Sequence, residues 1–578
     1  MRIIPKKNMR KRNNNNNYFP IFKPLNLIYN YGKDIQSQIS QSCYMKHMGI
    51  VMNTFSSFRK HALLHSNETA VKSKNRDISF YDLLILIQWI ETELKSEKIK
   101  QGDRISIHMG NSIELIAAYY ACLKVGAIFV PLSLKLSPKE VKNLIQHSSS
   151  RAYIGDITRF NEAKKEIESC KSLEKKWIID IDKKNETNLI HTKENMSLLS
   201  YEDPAENITT DTLASIFYTS GTTGTPKGIV YSQKTLIEAI NLTKKTINPK
   251  PSKAGEACPV ILSLVDLISP WSILITLAAL HKGYSVLLLS ESDINNIIET
   301  LKETKPAWIA GTPSNFQSII NIVDQKNTSL DLSETVCVAG GDSCATELSK
   351  KFFEYFGSRL QSSYGQTELG GPVVYHHDLC AIDNPSIGWP LPGVEIKIND
   401  TQSDNGELFI RSPARTIGIW NGNDIDRFPN DRWLATGDIV RKSNDGSFFF
   451  LGREKDQIKI EGYPVYPIEI EQTLIQHDGI ADAVVFSIPD SFAGERIIAL
   501  IQMKKDCSPD AENIIAYLSD HLSHYKHPSE YIFIRKTPIA VTGKISRRRL
   551  SNEYNSLKNQ AEIYFNVRDN SYSVTHHK

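Results

Sequence analysis

The sequence predicts an α/β fold in which a large N-terminal domain of layered α/β sheets precedes a smaller α+β C-terminal domain. At 578 residues the chain is too long for one ordinary core. From about residue 55, strand and helix patterns alternate: residues 103–108 are strand-like, 112–123 form an amphipathic helix, and 127–131 are another apolar run. Such alternation is typical of layered, largely parallel sheets. After about residue 441, short strands with glycine turns and two helices indicate the second domain.

We expect four segments along the chain. Residues 1–50 are basic, rich in asparagine and poor in periodic apolar positions, which is typical of a disordered extension. A transit peptide would also be basic, but serine is absent from the first 34 residues, so we favour a cytoplasmic protein without an import signal. Residues 51–454 make up the large domain and 455–555 the small one, with the boundary near 452–456. Residues 556–578 have the composition of a polar tail.

Composition and charge argue against several classes of protein. The net charge of +3 is small for this length and gives no general argument for a nucleic-acid partner. The eight cysteines are scattered without a C-x-x-C pair, which argues against a zinc site or a disulfide framework. Residues 259–280 are apolar enough to raise a membrane helix, but Asp266 and Pro270 within them favour a buried strand, loop and helix. We therefore expect no transmembrane segment and a soluble protein.

A glycine- and threonine-rich segment at residues 218–230 is the strongest local motif. Apolar runs at 213–217 and 229–231 predict two strands joined by this loop. Its glycines let N–H groups approach an anion, and Lys227 adds a positive charge suited to phosphate. A Walker loop would continue from the lysine into serine or threonine, but Gly228 follows here, and the remaining alternative is a flexible linker. The candidate phosphate-binding residues are Thr219, Ser220, Gly221, Thr222, Thr223, Gly224 and Lys227.

Four weaker motifs follow along the chain. In the Y-G-Q-T-E segment, the ring of Tyr364 could stack on a base and Glu368 offers a hard oxygen ligand for Mg²⁺. Asp438 closes a T-G-D turn and could bind ribose hydroxyls, and Arg453 is a cation suited to phosphate or ribose. Lys544 lies in a T-G-K turn. Taken singly, each motif has an ordinary alternative, such as a turn aspartate, a surface ion pair or a basic turn before a helix.

Together and in this order, the motifs resemble the adenylate-forming superfamily of acyl-CoA synthetases, peptide-synthetase adenylation domains and beetle luciferases. The resemblance runs from about residue 55 to 550. It implies an enzyme that uses ATP and Mg²⁺ to convert a carboxylic acid into an acyl-adenylate, releases pyrophosphate and passes the acyl group to a thiol. Because this reaction brings two anions together, it requires positive charge and preorganised donors.

The resemblance implies roles for the residues around the phosphates. Lys544 would reach the carboxylate of the acid and the α-phosphate. Glu368 would hold Mg²⁺, with Thr222 or Thr223 nearby. Lys227 and its loop would cover the β- and γ-phosphates.

The resemblance also implies a nucleoside site. Asp438 would bind the ribose, assisted by Arg453. The other nucleotide-binding residues would be Gly341, Asp342, Tyr364 and Thr367. A rival interpretation is a nucleotide-binding protein that has lost catalysis, and the intact catalytic residues count against it.

In this family the small domain rotates about a hinge after adenylation. The hinge matches Lys455, and the face that then meets the adenylate matches the segment from Lys459 to Pro467, which includes Gly462. The residues after Gly462 look like those of CoA ligases, so the acceptor is expected to be the thiol of CoA. The alternative is a free-standing amino- or aryl-acid adenylase that loads the phosphopantetheine of an acyl or peptidyl carrier protein.

Departures from the family pattern fall around the acyl pocket, which includes Gly340. Gln233 and Ser269 stand where the family often has histidine, and neither titrates near neutrality. Trp271 holds the usual aromatic position of the pocket, which would favour a short, medium or aromatic acid; the alternative is core packing. Asp266 lies near the place of the aspartate in amino-acid-activating domains. A capping or backbone-bonded aspartate is the preferred interpretation of Asp266.

Overall fold

The structure is a computed structural model that describes most of the chain. The described residues are 54–74, 76–180, 208–219, 227–250, 258–289, 296–344, 346–376, 386–399, 404–429, 433–460, 463–490, 494–505, 507–535, 537, 547–561 and 563–567. Only the backbone is described at residues 17, 18, 560, 563 and 571–574.

Helix ends in the described residues follow ordinary capping chemistry. Ser112 accepts a hydrogen bond from the N–H of Leu115 at the start of the third helix, and Gly126 ends that helix with φ of 73°. The helices of the described ranges are α1 (Thr54–Leu64), α2 (Phe80–Ser96), α3 (Ile113–Val125), α4 (Pro138–His147), α5 (Ile157–Glu162), α6 (Lys164–Glu168), α7 (Gln233–Thr246), α8 (Pro270–Leu280), α9 (Ile297–Thr304), α10 (Pro313–Lys326), α11 (Thr346–Phe356), α12 (Pro467–Ile475), α13 (Ala511–His521), α14 (Arg547–Asn552) and α15 (Tyr554–Gln560).

The strands are short and numerous. In the described ranges they are β1 (Asn17–Tyr18), β2 (Thr69–Ser73), β3 (Ile78–Ser79), β4 (Arg104–His108), β5 (Ile128–Pro131), β6 (Ala152–Asp156), β7 (Lys175–Ile179), β8 (Leu213–Thr219), β9 (Lys227–Ser232), β10 (Val260–Ser263), β11 (Ser285–Leu288), β12 (Trp308–Gly311), β13 (Val336–Gly340), β14 (Leu360–Gln366), β15 (Gly371–Tyr375), β16 (Trp389–Pro390), β17 (Glu395–Ile398), β18 (Asn405–Arg411), β19 (Gly418–Trp420), β20 (Ile425–Arg427), β21 (Leu434–Lys442), β22 (Phe448–Arg453), β23 (Ile458–Ile460), β24 (Tyr463–Val465), β25 (Ile480–Asp490), β26 (Gly494–Met503), β27 (Glu530–Phe533), β28 (Ile563–Asn566) and β29 (Ser571–Val574).

The chain forms two compact units. The first comprises residues up to Thr69, Ser73–Lys234 and Gly418–Asp426; the second comprises Ala70–Lys72, Thr235–Ile417 and residues from Arg427 onward. The first unit contains one sheet with the order β1-β7-β6-β4-β5-β8-β9-β19. Its strands pair in parallel from β1 to β8, and β9 runs antiparallel to both β8 and β19. The predicted pair of strands around the glycine- and threonine-rich loop is therefore confirmed.

The second unit contains a parallel sheet with helices packed on it. The central order is β14-β13-β12-β10-β11, all parallel, and β15 and β16 add antiparallel strands beyond β14. Phe316 of α10 and Phe352 of α11 are fully buried in the core of this sheet. The apolar tract at residues 259–280 forms β10, a loop and α8, as its aspartate and proline predict. A four-stranded antiparallel sheet, β17-β18-β21-β22, follows.

The C-terminal part of the second unit has its own sheet and core. The order is β24-β23-β26-β27-β28-β29, with β25 paired to β26. Ile470 of α12 and Ile514 of α13 are buried in one apolar cluster, and Leu550 of α14 and Leu557 of α15 in another. These helices therefore bury apolar side chains against this sheet.

Residues past 555, which we expect to be a polar tail, add structure to the C-terminal sheet. Leu557 of α15, Tyr564 and Phe565 of β28, and Ala561 between the two elements are buried. The hydroxyl of Tyr564 donates to Oε2 of the buried Glu530 at 2.7 Å. Isolated apolar residues in a polar sequence gave no periodic signal, because a strand added to a sheet edge needs only a few buried positions.

None of the helices that the structure describes combines the length and the apolar composition needed to cross a lipid bilayer.

Candidate active site

The buried carboxylate of Asp438 joins the Y-G-Q-T-E and T-G-D motifs in the second unit. Asp438 is 2% exposed. Its Oδ2 accepts hydrogen bonds from the Tyr364 hydroxyl at 2.6 Å and from Gln366 Nε2 at 2.9 Å. Its Oδ1 lies 3.3 Å from Nε of Arg453. Three residues from two separate motifs thus converge on one carboxylate.

Strand register explains why these side chains meet. Asp438 on β21 and Arg453 on β22 are paired residues of an antiparallel ladder. Tyr364 and Gln366 lie two residues apart on β14, and both reach Asp438. Burial, followed by the negative charge of Asp438, raises the pKa of the Tyr364 hydroxyl well above its usual value. The tyrosine is therefore protonated at neutral pH and acts as the donor.

The backbone of Glu368 is fixed, while its carboxylate has no hydrogen-bond partner among the residues that the structure describes. Glu368 lies in a 3₁₀ turn, Thr367–Leu369, which Gly370 ends in the left-handed region with φ of 83°. The carbonyl oxygen of Glu368 accepts from both the N–H and the hydroxyl of Thr416, at 3.1 and 2.9 Å. A side chain beyond Cα at residue 370 would collide with the backbone of Ala414.

A carboxylate on a fixed backbone and without a hydrogen-bond partner among the described residues suits a hard cation such as Mg²⁺. The described residues contain no cluster of three or more histidine, cysteine, aspartate or glutamate side chains that could hold a metal ion by themselves. Magnesium commonly binds one or two carboxylates together with substrate phosphates and water. Glu368 fits that mode, in which the nucleotide supplies further ligands.

Gly340 and Trp271 are in contact within the second unit. A Cβ added to Gly340 would lie 2.8 Å from the Ser363 carbonyl oxygen and 2.8 Å from Cη2 of Trp271. Gly341 follows with φ of 80°, a conformation that favours glycine. Asp342 is exposed and accepts from the N–H of Ser343 at 2.9 Å. Gly340 therefore leaves room for the ring of Trp271.

Asp266 does not have the capping role that we preferred from the sequence. Ser269 caps α8 by accepting from the N–H of Ser272, and Pro270 takes the first helical position. The carboxylate of Asp266 is partly exposed and has no hydrogen-bond partner among the described residues. The cap belongs to Ser269 because serine directly before proline at the first helical position is the stronger start signal.

The first unit holds the described ends of the predicted phosphate loop. Thr219 at the end of β8 and Lys227 at the start of β9 are paired residues, and Lys227 is exposed. The hydroxyl of Tyr218, which precedes Thr219, hydrogen bonds to His147 Nδ1 at 2.8 Å. The loop residues Ser220, Gly221, Thr222, Thr223 and Gly224 lie outside the described residues.

The residues predicted in the small domain are described in part. Lys455 lies in an exposed 3₁₀ turn, Glu454–Asp456. Lys459 on β23 is exposed, and its N–H donates to Oε2 of Glu495 at 2.7 Å. Gly462 and Lys544 lie outside the described residues.

Sequence reasoning missed two polar residues around Asp438. The hydroxyl of Thr436 accepts from the N–H of Asp438 at 3.1 Å and donates to the Leu408 carbonyl at 2.7 Å. Gln366 donates to the Thr436 carbonyl at 3.0 Å as well as to Asp438. A possible signal was the two-residue spacing of Tyr364 and Gln366 in a strand-like segment, which favours a common direction for both side chains.

Two family models match the chain. The model described as AMP-binding enzyme matches residues 58–420, and the model described as AMP-binding enzyme C-terminal domain matches residues 469–544. The first alone covers more than half of the chain. The chain belongs to the AMP-binding enzyme family. The predicted fold class, with a large N-terminal and a smaller C-terminal domain, is confirmed for this AMP-binding enzyme.

Solved structures and curated relatives support the same family. The crystal structure of coronafacic acid ligase from Pectobacterium brasiliense is 71% identical, covers 89% of this chain and 100% of that chain, and has a TM-score of 0.74. A long-chain-fatty-acid–CoA ligase from Bacillus subtilis (strain 168) is 26% identical over 528 residues, 84% of this chain and 92% of the relative. A 4-coumarate–CoA ligase from Humulus lupulus is 28% identical over 489 residues, 82% of this chain and 88% of the relative.

These findings identify this AMP-binding enzyme as an AMP-forming acid–thiol ligase of the acyl-CoA synthetase type, as predicted. A carboxylic acid, ATP and CoA are the substrates of that reaction class.

Proposed function

We propose that this enzyme activates coronafacic acid, or a carboxylic acid of similar size, as an acyl-adenylate and transfers the acyl group to the thiol of CoA. The observation that carries the proposal is the 71% identity to coronafacic acid ligase over that protein's full length. The contact between Trp271 and Gly340 supports a pocket of limited depth. Mg²⁺ is the proposed metal, because the Glu368 carboxylate has no other partner in the described chain.

In this proposal the site around Asp438 binds the nucleoside of ATP. Asp438 and Arg453 hold the ribose, while Tyr364, Gly341 and Asp342 frame the adenine. A ribose hydroxyl that comes within hydrogen-bond distance of Asp438 can donate to a buried carboxylate.

The phosphates and the acid are handled by the remaining motif residues. Glu368, with Thr222, would hold Mg²⁺, and the ion would neutralise charge on the phosphates. Lys227 and its loop donate to the β- and γ-phosphates, and Lys544 donates to the carboxylate and α-phosphate oxygens. The carboxylate oxygen attacks the α-phosphorus, and pyrophosphate leaves with the electron pair of the broken bond.

Thioester formation uses the small C-terminal domain, which we predicted at residues 455–555 and to which α15 and β28 also belong. Lys455 serves as the hinge, and the segment from Lys459 to Pro467 faces the adenylate in the second step. The thiol of CoA attacks the acyl carbonyl, and AMP leaves. The alternative acceptor is the phosphopantetheine of a carrier protein.

The direct test measures pyrophosphate release from the purified chain with ATP, Mg²⁺ and a panel of coronafacic, fatty, aryl and amino acids. We expect release with coronafacic acid, and an acyl-CoA product by mass spectrometry when CoA is present. Each acid is also tested with a phosphopantetheinylated carrier protein and with free amines, because an acyl-adenylate reacts with any well-placed nucleophile. A carrier-bound or amide product without acyl-CoA would contradict CoA as acceptor. Silence with coronafacic acid and release with amino acids would contradict the proposed substrate.

Replacing Glu368 with glutamine should weaken Mg²⁺ binding, so that adenylation needs a higher Mg²⁺ concentration. The change keeps the side-chain volume and the two hydrogen bonds from Thr416, while it removes the ionised ligand. We expect the Mg²⁺ concentration that gives half-maximal pyrophosphate release to rise by about 10- to 100-fold. Glu347, an exposed acid in the first turn of α11, supplies the control Glu347→Gln. Unchanged Mg²⁺ dependence in Glu368→Gln would exclude this residue as a ligand.

Replacing Trp271 with alanine should change the preferred acid. Removal of the ring beside Gly340 deepens the proposed pocket, so kcat/KM should fall for coronafacic acid and rise for longer acids. We expect the ratio of the two values to shift by about tenfold or more. Trp89 on α2 of the first unit is partly exposed and supplies the control Trp89→Ala. An equal loss with every acid would indicate core packing in place of a pocket wall.

A further inference from the structure

We infer that Gln366 is a positioning residue that sets the orientation of the Asp438 carboxylate for the ribose of ATP; the inference rests on the proposed function. Gln366 is the middle residue of the Y-G-Q-T-E motif, and the sequence analysis gives it no role of its own. In the structure its amide bridges two strands of different sheets, since β14 carries Gln366 and β21 carries Asp438.

The contacts divide the two oxygens of Asp438 into different classes. Oδ2 accepts from two neutral donors, Tyr364 at 2.6 Å and Gln366 at 2.9 Å. Oδ1 receives no hydrogen bond from the described residues and lies 3.3 Å from Nε of Arg453. Oδ1 is therefore the oxygen with spare lone pairs, suited to accept from a ribose hydroxyl.

Rotation of the carboxylate would destroy this division. The terminal torsion of aspartate is broad, so the rotamer alone does not fix the carboxylate plane. The hydrogen bond from the Asp438 N–H to Thr436 fixes only the backbone. Two donors from separate positions on β14 define the plane, whereas Tyr364 alone would define one point in it. The amide of Gln366 is itself fixed by its second hydrogen bond, to the Thr436 carbonyl at 3.0 Å.

Burial makes the second donor energetically important. A carboxylate that is 2% exposed has lost most of its water and needs protein hydrogen bonds in exchange. Without Gln366, water or the Arg453 side chain would compete for either oxygen. ATP would then have to order the carboxylate as it binds, and its affinity would fall.

The test compares the dissociation constants of ATP, 2′-deoxy-ATP and 3′-deoxy-ATP, measured by titration calorimetry with Mg²⁺. Wild-type protein should prefer ATP over at least one analogue. Gln366→Met removes both N–H donors of the Gln366 amide at similar side-chain volume and leaves Tyr364 in place. This variant should bind ATP about tenfold more weakly. The affinity for the analogue that lacks the bound hydroxyl should fall much less. The ratio of the ATP affinity to the affinity for that analogue should therefore narrow by a similar factor. Equal weakening of all three nucleotides, no weakening, or a wild type without discrimination would overturn the inference.

Gln361, also on β14, supplies a matched control. Its Oε1 accepts from the hydroxyl of the buried Tyr375, with no contact to Asp438. Gln361→Met should lower the unfolding temperature and leave the ratio of ATP to deoxy-ATP affinity unchanged. Because the titrations need no acid, they separate this inference from the proposed substrate. If discrimination narrows in Gln366→Met while the acid panel is silent, the positioning role survives and the substrate proposal fails.

Discussion

Replacing Lys544 with alanine should slow acyl-adenylate formation by a factor of about 10² to 10³, the scale of one lost transition-state donor. The two reacting groups, carboxylate and triphosphate, are both anions, and negative charge shifts toward the departing pyrophosphate during the reaction. An ammonium between them is stabilising mainly in the transition state, so its removal should lower kcat more than it raises the KM for ATP. Pyrophosphate release under single-turnover conditions measures the effect.

The same variant separates the two half-reactions. When acyl-adenylate is supplied, Lys544→Ala should still form the thioester at close to the wild-type rate, because the proposed second step uses the face from Lys459 to Pro467. Lys505, an exposed residue of the C-terminal part, supplies the control Lys505→Ala, which should affect neither step. An equal block of both steps would show that the role assigned to Lys544 is wrong.

Local patterns predicted the fold well where the signal lay within a few residues. The strands beside the glycine-rich loop and the strand, loop and helix at residues 259–280 were predicted correctly from apolar runs and from the positions of Asp266 and Pro270. Order of motifs then identified the family. Residues 556–567 were missed, because their buried side chains become apolar partners only when β28 pairs with β27.

Tertiary hydrogen bonds could not be predicted from the sequence. Gln366 and Asp438 are 72 residues apart, and nothing in either motif specifies that their strands bring them within 2.9 Å. The predicted capping role of Asp266 was wrong for a similar reason. Ser269 and Asp266 both precede α8, and the choice of capping residue depended on backbone geometry at the start of this helix. Motif chemistry therefore identified candidate groups, while their orientation required the structure.

Glu471→Ala should lower the stability of the C-terminal sheet by about 3 to 5 kcal/mol, the usual effect of breaking a buried ion pair by removing one partner. Arg547 Nη2 lies 2.8 Å from each carboxylate oxygen of Glu471, and the N–H of Val485 donates to Oε1 at 2.7 Å. Glu471 is 7% exposed. Its loss leaves the Arg547 guanidinium mostly buried without its principal counter-charge.

Hydrogen exchange of the full chain measures this effect locally, since amides of β25 and α12 report opening of the C-terminal sheet. The double variant Glu471→Leu with Arg547→Met removes both charges and should be much less destabilised than the sum of the single variants. Additive losses would show that the two side chains contribute through packing alone.

The ion pair should also affect catalysis, because Arg547 follows Lys544 by three residues. Three residues span at most roughly 10 Å between Cα atoms. Loss of the ion pair that fixes Arg547 at the start of α14 should therefore also change the position available to Lys544. Glu471→Ala should therefore slow adenylation more than it slows thioester formation from supplied acyl-adenylate. The charge-free double variant restores the packing of α14 and should regain much of the adenylation rate. Equal slowing of the two steps would indicate general unfolding of the C-terminal part, and hydrogen exchange under the assay conditions would show it directly.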